Sequence, residues 1–127
     1  MKRISITLLL SFWAALSAAT PTAAPVRAEI ETLLTKLQTS GCQFNRNGSW
    51  YSGAEAKDHL LRKLEYFEGK TTFASSEQFI ELAASKSSSS GKPYQVKCGK
   101  EQPMESARWL TQQLTTLRSA SSKAAGH

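Results

Sequence analysis

Cys42 and Cys98 are the only cysteines in the chain, and joining them restricts the fold more than any other feature. Cys42 opens the run Cys42-Gln43-Phe44-Asn45-Arg46, and Cys98 closes the run Tyr94-Gln95-Val96-Lys97-Cys98, where Tyr94, Val96 and Cys98 alternate with polar residues as on a half-buried strand. If the two runs are antiparallel, setting Cys42 opposite Cys98 also sets Phe44 opposite Val96 and Arg46 opposite Tyr94. One register then puts the apolar side chains on one face. A parallel pairing joins the start of one run to the end of the other and leaves scarcely any overlap. Closing so long a loop constrains the unfolded chain by roughly 4 kcal/mol in the entropic account, a large share of a small domain's net stability. The alternative, a redox-active pair, calls for a Cys-x-x-Cys turn at a helix start, which this spacing does not supply.

Pairing requires a compartment that oxidises thiols, and the N-terminus reads as a route to one. Met1-Lys2-Arg3 is a charged start, Ile4 to Leu16 is an apolar run, and Ser17, Ala18 and Ala19 are small. Residues 1–19 therefore read as a secretory signal peptide cut after Ala19, and a cut after Ala24 would set the rigid ring of Pro25 against the scissile bond. The apolar run falls short of the roughly 20 residues that a helix needs to cross about 30 Å of hydrocarbon. No cysteine lies near the junction to carry a lipid, so the exported chain is expected in the periplasm with no membrane anchor. Removing Lys2 and Arg3 leaves 14 Lys and Arg against 10 Asp and Glu, and lowers the formal charge from +6 to +4. The charges are interspersed, with no like-charge block, which argues against nucleic acid as a partner.

Thr20 to Ala24 is a short leader. From Pro25, the residues Val26, Ile30, Leu33, Leu34 and Leu37 draw one helical stripe, which Gly41 stops. Asn47-Gly48 is the dipeptide of a type I′ hairpin turn between the Cys42 strand and a short return strand. Ser52 with Glu55, and Ser75 with Gln78, stand in capping-box register ahead of two further helices. The first of these carries Ala56, Leu60, Leu64 and Phe67 and ends at Gly69; the second carries Phe79, Ile80, Ala83 and Ala84. Thr71 to Ala74 reads as a linker and Lys86 to Lys92 as a polar serine loop. A last helix is expected from Pro103 with Met104, Ala107, Leu110, Leu114 and Leu117 on one face. The expected architecture is a single α+β domain over residues 25–118, with about four helices on a small antiparallel sheet of two or three strands. Residues 119–127, rich in Ser, Ala and Lys, are expected to form a disordered tail.

Several short motifs carry a chemical reading and a plainer one. Ser90-Gly91-Lys92 lacks the earlier glycine of a phosphate loop, where Lys86 stands, and the following Ser or Thr, where Pro93 stands. An anion nest of successive amides in the serine loop is weighed against a solvated loop, and the second is favoured. His59, four residues after Glu55, makes at most a two-ligand site, so no metal or cofactor is expected and a surface pair or half-buried imidazole is favoured. Arg46, Asn47, Lys92 and Tyr94 can converge at one end of the sheet as a binding site; the plainer reading is a stem of Arg46 laid over Tyr94 and Trp50. Asn47-Gly48-Ser49 matches a glycosylation acceptor but reads as turn chemistry.

The segments Phe44 to Trp50, then Ala56, His59, Leu60 and Lys63, then Glu77 to Ile80, then Ser85 to Tyr94 together resemble the YfeK-like family of small exported bacterial proteins of unknown function. The resemblance covers about residues 26 to 118. It implies export and the extent of the domain, and it carries no activity, cofactor or catalytic residue.

Three functions compete. The first is a non-enzymatic envelope module that binds an anionic ligand, glycan or protein segment through Arg46, Asn47, Lys92 and Tyr94. The second is a small hydrolase or transferase using His59 with a serine from Ser87 to Ser90, without a Gly-x-Ser-x-Gly elbow. The third is a structural partner that docks through an exposed apolar stripe of the first or last helix. Binding ranks above catalysis, because one histidine in the folded region and no metal cluster leave little machinery for chemistry. N-terminal sequencing of the exported protein is expected to begin at Thr20; a first residue of Met1 would remove the signal-peptide reading.

Overall fold

The computed structural model describes residues 22–125. The expected signal peptide with its cut at Ala19, the first two residues of the leader, and Gly126 and His127 lie outside the described residues. Along the chain come α1 (Ala24–Thr39), β1 (Gln43–Arg46), β2 (Ser49–Ser52), α2 (Gly53–Glu68), α3 (Ser76–Ala83), β3 (Gln95–Lys97), β4 (Met104–Glu105) and α4 (Ser106–Ala125). The strands form one antiparallel sheet in the order β2-β1-β3-β4. Among the described residues this is an α+β fold with four helices, one strand more than the highest expected count, and one disulfide, Cys42–Cys98.

The bridge spans two neighbouring strands, with a Cα to Cα distance of 4.2 Å across 56 positions of chain. It lies one residue beyond the Gln43↔Lys97 pair, in the register that sets Phe44 opposite Val96. Tyr51, Phe44, Val96 and Met104 thus form one row across the four strands. Phe44 and Val96 are buried in the same core as Leu33, Leu37, Leu60 and Leu110 of the helices. On the other face Gln43, Trp50, Gln95 and Glu105 are exposed. Both edges are short: β2 has four residues and β4 two.

Local chemistry explains the boundaries. Gly41 takes φ 74° just past α1, and Asn47 and Gly48 take φ 53° and 86° at the hairpin, a backbone that Asn and Gly reach at least cost. The Ser52 hydroxyl accepts from the Glu55 amide at 3.2 Å and also meets the Glu55 carboxylate. The Ser75 hydroxyl accepts from the Gln78 amide at 3.2 Å, while Gln78 Oε1 accepts from the Ala74 amide at 2.7 Å. Each serine hydroxyl satisfies one amide that the first helical turn leaves without a partner, whereas Glu55 meets the Ser52 hydroxyl and Gln78 an amide ahead of the cap.

The last helix differs from expectation. Met104 and Glu105 are not its first turn but a strand paired to Val96 and Gln95, and α4 starts at Ser106. Met104 fits either element, since it sits three residues before Ala107. The open edge of β3 decides the matter by offering a ladder, and the Ser106 amide continues it by donating to the Tyr94 carbonyl at 2.9 Å. At the other end α4 runs on past Arg118 to Ala125. The disordered tail expected from residue 119 is helix over 119–125, because Ala and Lys propagate an established helix even where little is buried. Arg118 ties this helix to Glu29 of α1 at 2.9 Å and to Glu77 of α3, and Ser76 donates to Glu29 at 2.6 Å. The Thr71–Ala74 linker also does more than connect: Phe73 is buried, with its ring 5.7 Å from that of Phe79.

Gly53, at the start of α2, faces the end of α1, where an added Cβ would lie 2.3 Å from the Leu37 carbonyl oxygen. Gly53→Ala must push the two helices apart and is expected to cost about 1–3 kcal/mol. The cost reads as a lower urea midpoint at unchanged slope, and an unshifted midpoint would show that the contact is dispensable.

Candidate functional site

Arg46 ends β1 on the inward face, two residues after Phe44, so its guanidinium enters the space between the sheet and α2. His59 and Lys63 sit four residues apart on one side of α2 and face it. Tyr94 enters from the residue before β3, buried, with its ring 4.9 Å from Phe44. The four side chains form a chain of contacts. Arg46 Nη1 is 2.8 Å from His59 Nδ1, His59 Nε2 is 3.2 Å from the Tyr94 hydroxyl, and Lys63 Nζ is 3.0 Å from the same hydroxyl. A guanidinium only donates, so the shorter contact makes Nδ1 the acceptor and leaves the imidazole proton on Nε2, directed at Tyr94. Arg46 also lies over the Tyr51 ring, 5.2 Å from its centre.

The serine segment forms the opposite wall and is an ordered turn rather than a solvated loop. The Ser87 amide donates to the Lys92 carbonyl, the Gly91 amide to the Ser87 carbonyl, and Lys86 bridges Pro93. Ser87 is buried, and its hydroxyl accepts from Asn47 Nδ2 at 3.3 Å and meets Ser89 at 3.0 Å; Ser90 donates to Asn47 Oδ1. The amides of Ser90, Gly91 and Lys92 are all taken by partners inside the turn, so these three are not free to cradle an anion.

Between these walls lies a cavity of about 310 Å³ lined by Arg46, Asn47, His59, Lys63, Tyr66, Tyr94 and the serines 87–89. Among the described residues no carboxylate lines it. A smaller cavity of about 180 Å³ on the other side of Arg46 and His59 is edged by Tyr51, Glu55, Asp58 and Arg62. Electrostatics follow from burial and like charge. Burial first, then Arg46, Lys63 and Arg62, lowers the His59 pKa to about 4, so the ring is neutral at physiological pH. Burial first, then Arg46, lowers Lys63 to about 8. Burial raises Tyr94, against the opposing pull of Arg46.

Of the residues expected to converge, Arg46, Asn47 and Tyr94 meet at the larger cavity. Lys92 does not line it; its side chain is exposed beyond the serine turn. Lys63 occupies the place expected of Lys92. The spacing of His59 and Lys63 on one helix face was the available signal, but it matters only once Tyr94 is known to enter from the sheet. Glu55 turns to its cap at Ser52 instead of pairing with His59, and the ring nitrogens of His59 meet Arg46 and Tyr94 rather than a serine hydroxyl. The stem of Arg46 does not cover Trp50, which lies on the open face. The apolar stripes of α1 and α4 supply Ile30, Leu33, Leu34, Leu110 and Leu114 to the core; the large apolar side chains exposed among the described residues are Trp50, Tyr66 and Leu82. Among the described residues no three His, Cys, Asp or Glu side chains group to hold a metal ion, and no helix is long and apolar enough to cross a membrane.

Residues 24–118 match the model of a family of unknown function, DUF5329. No curated protein and no solved structure matches the chain.

The low His59 pKa gives a signed pH dependence. Between pH 4 and 6.5 the unfolded chain binds the proton that the folded ring refuses, so stability rises with pH through that window. A titration of the imidazole by NMR is expected to show a midpoint near 4, and His59→Asn to flatten the stability slope between these limits. A midpoint near 6.5 would contradict the buried contacts with Arg46 and Tyr94.

Proposed function

The chain belongs to DUF5329, a family of unknown function, and we propose that it works as a non-enzymatic binding module seating an anionic group in the larger cavity. The observation that carries this reading is a set of donors lining a cavity to which the described residues contribute no carboxylate. Arg46 and Lys63 flank a neutral imidazole and the Tyr94 hydroxyl, and the cavity they line holds no carboxylate. Two like charges held together by the fold raise its free energy, and an anion between them relieves the repulsion while accepting charge-assisted hydrogen bonds. Asn47 fixes the serine wall, and Lys92, outside the cavity, adds to the positive field through which a ligand approaches.

The binding role accompanies export to the periplasm. The charged, apolar and small-residue order of residues 1–19, the resemblance to the YfeK-like exported proteins, and a disulfide suited to an oxidising compartment support this location. The ligand is then an envelope metabolite, glycan or protein group bearing a carboxylate, phosphate or sulfate.

Calorimetric titration with phosphate, sulfate and succinate at low salt is the test. At least one is expected to bind, with affinity falling as salt rises. Arg46→Gln and Lys63→Gln should each weaken binding about tenfold, the scale of one lost hydrogen bond to a charged group. Lys92→Ala should change it by no more than about twofold, as expected of a rim charge. A folded double variant of Arg46 and Lys63 that binds as the parent does would remove the reading.

A further inference from the structure

We propose that the Lys63 amine captures carbonyl compounds bearing a carboxylate, namely 2-oxo acids, as a covalent imine in the cavity between α2 and the serine turn. The capture goes beyond the anion seat and rests on it in one respect, that Arg46 receives the carboxylate.

The hydrogen bonding of Lys63 is the starting point. Its Nζ donates to two protein acceptors, the Tyr94 hydroxyl at 3.0 Å and the Lys86 carbonyl at 3.1 Å. A neutral amine has two protons and one lone pair. Committing both protons to those acceptors leaves the lone pair for the cavity that Lys63 lines. The charged form has a third proton for which that cavity supplies no carboxylate. Burial and Arg46 bring the Lys63 pKa to about 8, so about a tenth of the amine is free at pH 7, as a nucleophilic lysine requires.

The neighbouring groups suit the remaining chemistry. The Tyr94 hydroxyl accepts from both Lys63 Nζ and His59 Nε2, which leaves its own proton to donate to a third group. Burial keeps that proton in place by raising the phenol pKa. Arg46, on the far side of His59, offers a planar fork that matches a carboxylate. Arg46 and Lys63 line the same cavity, so a carboxylate and the ketone beside it are both offered a partner there.

In the step itself the nitrogen lone pair attacks the ketone carbon and forms the C–N bond. A nitrogen proton passes to the ketone oxygen by way of the Tyr94 hydroxyl, giving a carbinolamine. The C–O bond then breaks as that oxygen takes one further proton from solvent and leaves as water, while the nitrogen lone pair closes the C=N bond. No atom is oxidised or reduced. The resulting iminium carries the positive charge an ordinary lysine would carry, balanced by the bound carboxylate.

Reductive trapping tests the capture. The folded, disulfide-bonded protein is incubated with pyruvate and sodium cyanoborohydride, and the adduct is mapped by mass spectrometry. One reduced adduct is expected on Lys63, forming on the order of tenfold faster than on exposed Lys70 or Lys100, where no seat for the carboxylate holds the ketone beside the amine. Lys63→Arg, checked for folding by circular dichroism, should remove it. Arg46→Gln should slow labelling of Lys63 by pyruvate about tenfold more than labelling by propanal, which has no carboxylate to lose. Adducts spread evenly over the exposed lysines would overturn the proposal. If phosphate or sulfate binds while Lys63 stays unlabelled, the imine is wrong and the anion seat stands. If Lys63 is labelled but Arg46→Gln slows pyruvate and propanal equally, the assignment to 2-oxo acids is overturned.

Discussion

The bond between Cys42 and Cys98 ties two segments that are far apart along the chain to adjacent places in one sheet, and its geometric effect extends well beyond the two sulfurs. A cross-strand bridge admits one register, and because strand side chains alternate, that register decides the face of every residue in both strands. Phe44 and Val96 go inward to the helices, and Gln43, Asn45 and Gln95 go outward. Arg46 and Tyr94 follow from the same alternation, at the end of the pairing opposite the disulfide. A slip by one residue would bury amides and expose the aromatic rings, so the bond guards the core and the cavity together.

Features that depend on a few adjacent residues were legible in the sequence. Both serine caps, the Asn47-Gly48 turn and the Gly41 stop rest on local hydrogen bonding or on a positive φ, which short motifs encode. The antiparallel register was legible as well, because two cysteines and an apolar alternation agree on it. Features decided by distant neighbours were not. Met104 and Glu105 fit a helix by spacing, and only the free edge of β3 makes them a strand. Phe73 reads as linker until Phe67 and Phe79 are seen around it.

The candidate site divides along the same line. The meeting of Arg46, Asn47 and Tyr94 at one cavity was legible because the hairpin and the strand pairing place them, whereas Lys92 stands outside it because the serine segment folds into its own turn. Lys63 lies on a helix whose rotation about its axis is fixed by Leu60 and Leu64 in the core, and this rotation brings His59 and Lys63 over Tyr94. The cluster costs folding energy, since burial and like charge push His59 and Lys63 toward their neutral forms. Such a cost is tolerated where the rest of the structure over-determines the positions, here by the disulfide on one side and the α1 to α2 packing on the other.

The shortness of the outer strands has a consequence for the molecule in a crowded compartment. β4 ends after two residues, where the chain turns into α4, and β2 passes directly into α2. Neither rim presents a long row of unpaired amides and carbonyls to another copy, and a charged Glu105 stands at one of them. The sheet can leave a whole face bare to water without recruiting fresh strands into a fibril, which keeps that face usable as surface.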